Sequence, residues 1–283
     1  MMTVRIGTVW DSTQQVLAGR TGMLAPIAAI GFVLPALVQV LLLPREPGIS
    51  VGVAGVVMTF VSLVLGIWAQ LAIMAVATHP STTTADASRA GLRRLLAVLG
   101  VAIAMGIVFA IVVLVPILVL GASGYDFAAA MAANGDPSKL PPMTSGSALF
   151  LIVYGLVVGV ASLWLVARLM LVYAVVLNER RELGAIRRSI ALTRGMTWRL
   201  IGVFALFLIV LTVATSAAQG ITGAVLRLML GPDGAPVAVT VATLVAAVVS
   251  AGFMTLAYVF VARLYVAATG EEARLAGDGS PSL

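Results

Sequence analysis

Six arginines against two glutamates crowd into residues 179–199, ERRELGAIRRSIALTRGMTWR. Guanidinium groups at that density bind anions, because each presents a planar fork of donors matched to phosphate or carboxylate oxygens. Wound as a helix from Leu183, the segment places Arg187, Arg188, Arg194 and Arg199 within an arc of about 140°. Leu183, Ile186, Ile190, Leu192 and Met196 take the other side. That division suits a helix lying in a membrane interface, cations toward phosphates and apolar face toward acyl chains or protein. Gly195 is placed to break the helix, and Trp198 then sits at headgroup level. Each arginine near an anionic surface contributes about 1 kcal/mol, screened by salt. These four are the candidates for lipid or anion binding. A purely topological role accounts for the same charges.

Three more polar groups lie inside otherwise apolar stretches: Gln70, Arg168 and Arg263. An arginine at mid-bilayer costs about 2.5–3.5 kcal/mol on insertion scales, so each is an intramembrane candidate. Counted from Ala148 and Pro236, Arg168 and Arg263 sit about 30 and 40 Å along their helices. At that depth both reach the headgroups by snorkelling, and anchoring competes with ligand contact. Other chemistry finds little material. There is no cysteine, and His79 is the only histidine, with no carboxylates clustered beside it. Metal ligation needs several such groups, so neither metal nor cofactor is expected. The spans hold no Asp or Glu, which argues against a proton relay. Ser162, Thr215 and Ser216 have no His or Lys base near them in sequence. The expectation is a chain that is not an enzyme.

The elements that position these groups follow from composition. Of 283 residues, 61% are hydrophobic and 10% charged, where a soluble domain has about 25% charged. Residues 21–44, 47–85, 95–125, 140–167, 200–226 and 234–262 carry no charge. Each run exceeds the roughly 20 residues a helix needs to cross a bilayer. The expected fold is all-α: a single integral membrane domain over 1–283, with six transmembrane helices and interfacial amphipathic helices. The spans fall at about 23–43, 51–78, 95–121, 147–178, 200–226 and 236–268. The first 22 residues are polar and mixed in charge, unlike a cleaved signal.

Twelve basic residues fall in the tails and the second and fourth gaps, against Arg45, Lys139 and Arg227 in the others. The bias puts both termini in the cytoplasm, in a bacterial inner (plasma) membrane, and residues 122–146 outside as an irregular loop. Net charge is +6. Because the arginines flank apolar runs, the expected partners are anionic membrane lipids rather than nucleic acid. A protein partner or a second copy is also open. Pro26, Pro35 and Pro116 lie within spans, where a bundle tolerates them as kinks.

The even-numbered spans end alike, on Trp68-Ala69-Gln70-Leu71, on Trp164 followed by Ala167-Arg168-Leu169, and on Phe260-Val261-Ala262-Arg263-Leu264. Polar, helix-competent segments precede the odd-numbered ones. The pattern is amphipathic segment, span, loop, span, and it points to a threefold repeat of helical hairpins.

The basic segment resembles the glycerophosphoryl diester phosphodiesterase membrane-domain family. The matching residues are Arg168, Glu179, Gly184, Ala185-Ile186-Arg187-Arg188-Ser189, Leu192-Thr193-Arg194-Gly195 and Trp198-Arg199. This chain departs at Ile190, where the family has an aromatic, and at Tyr173-Ala174, where a proline is frequent. The resemblance implies a membrane module working near lipid or phosphodiester substrates. It carries over no catalytic residue, since the family's chemistry belongs to a separate soluble barrel for which this chain has no room. The leading reading is a non-catalytic multi-pass module contacting anionic lipid or a partner through the arginine-rich face. The alternative is a transporter or permease for a small or lipid-related solute, with Gln70, Arg168 and Arg263 along its path.

Overall fold

The computed structural model describes residues 5–42, 53–79, 81–133, 136–179 and 184–270. Arg45, Arg180, Arg181 and Arg274 lie outside them. The described residues are predominantly helical, with no strand among them, and six helical stretches are long and apolar enough to cross a membrane. The chain is an all-α polytopic membrane protein.

The first span is composite: α1 (Ile6–Ala28), a π-helical turn (Ala29–Val33) and α2 (Leu34–Leu42). The widened turn has a local cause. Pro35 has no N–H to give the Gly31 carbonyl, and its ring crowds that carbonyl. The Leu34 N–H instead reaches back five residues to the Ala29 carbonyl. The second span is α3 (Val53–Thr78) and the third α4 (Thr84–Ala122). The fourth is split into α6 (Ser145–Leu169) and α7 (Val172–Glu179). The fifth and sixth are α9 (Thr197–Leu230) and α10 (Ala235–Thr269), with α8 (Gly184–Leu192) ahead of them. Among its described residues, the loop between α4 and α6 holds the short α5 (Phe127–Ala132) and one 3-10 turn.

The three polar segments join their spans differently. Residues 6–19 enter the first span through a kink at Arg20, whose φ and ψ of −130° and 17° leave the helical region. The second segment continues without a break, giving α4 39 residues. That is about 58 Å, nearly twice the hydrocarbon thickness. The third is a separate helix that ends at Leu192, and the turn leading into α9 passes through Gly195, whose φ of +91° favours glycine.

α4 starts on a capping box. Thr83 accepts from the Asp86 N–H and donates its hydroxyl to Asp86 at 2.6 Å. These bonds from Thr83 hold the Asp86 carboxyl below its ordinary value. A lowered folded-state value stabilises above the unfolded value and loses that contribution as pH falls through the folded one. Acid titration of Asp86→Asn should therefore show a flatter fall in stability than the parent in that window, read as melting temperature against pH.

The packed core sits at one end of the bundle. Ala69 to Ala77 of α3 and Val259 to Val266 of α10 are buried nearly all round, with Val9, Ala87, Leu171 to Val176 and Ala185 against them. The far halves of α4, α6 and α9 show Phe109, Ile152, Leu156 and Ile221 to the surroundings. In water this would be untenable. In hydrocarbon, apolar side chains gain little by leaving lipid, so helices close up only where small residues and polar pairs draw them together.

Candidate functional site

The core end is also the arginine end, and the arginines there divide into two classes. One class ties helices together. α6 stops at Leu169, which leaves the Arg168 carbonyl without its helical donor. The Ser189 hydroxyl of α8 donates to it at 2.7 Å. In return, Arg168 Nη1 donates to the Ile190 carbonyl at 3.1 Å, while the guanidinium lies 5.2 Å from the Trp164 ring. Its Nε is buried with no partner among the described residues. Arg188 donates to Glu179 at 3.0 Å, and the Tyr265 hydroxyl donates to the same carboxylate oxygen at 3.3 Å. One acidic side chain thus gathers α7, α8 and α10. Arg263 Nε donates to the Ser12 hydroxyl at 3.2 Å. Arg20 caps α3 by donating to the carbonyls of Val76 and His79, where a cation also meets the negative end of the helix.

These ties follow the repeat. Val9 and Thr13, Ala87 and Gly91, and Ala185 and Ser189 are buried pairs one helical turn apart, one pair per polar segment. Gly91 meets Trp68 so closely that a Cβ there would sit 3.2 Å from the Trp68 carbonyl oxygen. The end of the second span thus packs on the second segment, and the end of the fourth packs on the third. The end of the sixth packs on the first through Arg263 and Ser12, 251 residues apart. Each even span hands on to the next polar segment, and the last returns to the first.

The other class faces outward. Arg187, Arg194 and Arg199 are exposed, and Trp198 between them is 82% exposed. The surface lies on the face of α8 and the start of α9 opposite buried Ala185, Ser189, Thr193, Thr197 and Leu200. Arg188, grouped with these cations by the helical wheel, instead turns toward Glu179. A pocket between the first span, α3 and α10 is lined by none of Gln70, Arg168 and Arg263.

No family model, curated protein or solved structure matches the chain. The reading of this site therefore rests on geometry and charge. Sequence reasoning missed Arg20 as a helix cap, Ser12 as the partner of Arg263, and Tyr265 as a ligand of Glu179.

Proposed function

We propose that the chain is a non-catalytic membrane module whose arginine-rich surface binds anionic lipid headgroups. The observation that carries this is the division of the arginines. Arg168, Arg188 and Arg263 are engaged between helices, while Arg187, Arg194 and Arg199 stay exposed beside an exposed tryptophan. Exposed cations flanking Trp198 at the end of a span suit the interface, where phosphates accept charge-assisted bonds and an indole finds its preferred depth. On the positive-inside rule this surface and both termini are cytoplasmic, and the membrane is a bacterial inner membrane. The residues shared with the glycerophosphoryl diester phosphodiesterase membrane domain support a place in that family. A transport path along Gln70, Arg168 and Arg263 is the weaker reading, because both arginines are committed to helix contacts.

The test is lipid capture. Protein extracted in lipid discs of mixed zwitterionic and anionic phospholipid should retain anionic species preferentially, by mass spectrometry. Changing Arg187, Arg194 and Arg199 together to Gln should cut that preference at least about fivefold, the equivalent of roughly one arginine's 1 kcal/mol. An unchanged preference in a folded triple variant would remove the surface from the account.

A further inference from the structure

Beside the π-helical turn, away from every arginine described above, lies a partly open pocket of ≈ 280 Å³. Phe32 and Gln39 of the first span, Ser62 and Gly66 of α3, and Ala251 and Met254 of α10 line it. Its volume is several times the roughly 30 Å³ share of one water. The walls are mostly apolar, with the Ser250 hydroxyl of α10 among them, and at one end Gln39 Nε2 donates to the Ser62 hydroxyl at 2.8 Å while that hydroxyl donates to the Met58 carbonyl at 2.8 Å. A carboxamide has a second N–H, and no protein acceptor among the described residues takes it.

The backbone shapes this site. In a regular α-helix Gly31 and Gln39, eight residues apart, would diverge by about 80°. The wider π turn narrows that divergence. Gly31 then packs on Ala69 and Gln39 on Ser62, both facing α3. Gln39 is three residues from the end of α2 at Leu42, about 5 Å below it, and Gly31 lies about 12 Å deeper. The pocket therefore runs from near the ester level of the leaflet opposite the arginine-rich surface into its hydrocarbon.

We propose that it seats one acyl chain of a glycerolipid from that leaflet, with the chain's ester carbonyl accepting from Gln39. Shape and polarity select this occupant. The body of the pocket is apolar apart from the Ser250 hydroxyl, the mouth offers a neutral donor, and no cation for a free carboxylate stands among the described lining residues. This site is separate from the proposed headgroup surface and stands or falls without it.

The probe is phosphatidylcholine carrying a photoactivatable diazirine on one acyl chain, in lipid discs, with labelled peptides mapped by mass spectrometry. Label should concentrate on residues 32–39 and 62–66 above the level on the exposed stretch 107–118 of α4. Gly66→Leu and Ala251→Leu fill the pocket from different walls, and a Cβ at residue 66 meets nothing within 4 Å. Each should reduce pocket labelling at least fivefold and leave the α4 labelling unchanged, which also reports an intact bundle. Should either fail to insert, the parent map decides alone: even labelling over all exposed helices overturns the proposal. Pocket label that survives both fillings overturns it as well. Equal labelling by a photoactivatable free fatty acid would refute the role given to the ester.

Discussion

Gly31→Ala should lower the melting temperature of the purified protein by several degrees, and Gly31→Val should prevent recovery of folded protein. A Cβ on residue 31 would overlap the Ala69 methyl and lie 3.2 Å from the Leu65 carbonyl oxygen. Ala69 belongs to a fully buried stretch of α3, so neither partner has room to retreat. Overpacking of this kind costs about 1–3 kcal/mol where side chains can adjust, and here backbone must move. The cost has an internal check. Ala69→Gly alone should be mildly destabilising through the lost methyl, but combined with Gly31→Ala it should recover most of the loss. Residues in direct contact couple by about 0.5–3 kcal/mol in such cycles. Simple additivity of the two changes would mean that the close approach of the first span to α3 is misplaced.

Arg168→Met should be the most damaging of the arginine substitutions, at about 2 kcal/mol, the scale of a hydrogen bond from a charged donor. It removes the bond to the Ile190 carbonyl and the stacking on Trp164 but keeps the aliphatic stem. Ser189→Ala deletes the reciprocal bond to the Arg168 carbonyl and should cost about 1 kcal/mol. Both should speed amide hydrogen exchange in Gly184–Leu192 more than in Ala235–Thr269. Faster exchange spread equally over both helices would argue that α8 is not held by this pair.

The six spans were legible because absence of charge over a bilayer's width has one physical meaning. The described helix limits fall within a few residues of those expected except at the starts of the first and third spans, where helix begins at Ile6 and Thr84, and the expected limits at 43 and 51 lie outside the described residues. Gly195 was legible as a break for a similarly local reason. The split of the fourth span was not. Met170 and Leu171 contain neither proline nor glycine, and the Arg168 carbonyl is satisfied by a hydroxyl 21 residues further on. Tertiary partners of that kind leave no local mark. Pro26 and Pro35 announced a disturbance, but the sequence did not say that it would be a π turn with Gly31 packed against Ala69. For the basic segment, the wheel placed Arg187, Arg194 and Arg199 on a common face. It could not know that Glu179, one helix earlier, takes Arg188. The polar segments were expected as interfacial helices; the second runs straight into its span because nothing between Arg94 and Leu95 interrupts it.

The central claim is that the outward arginines meet anionic headgroups. Trp198 stands among them and reports on it directly. Quenching of its fluorescence, taken as the difference between the protein and Trp198→Phe, should be several-fold stronger with headgroup-proximal spin-labelled phosphatidylglycerol than with the phosphatidylcholine equivalent. The excess should fade as salt shortens the screening length and vanish when Arg187, Arg194 and Arg199 are Gln. Equal quenching by the two lipids at low salt would contradict the account and leave these arginines with a topological role alone.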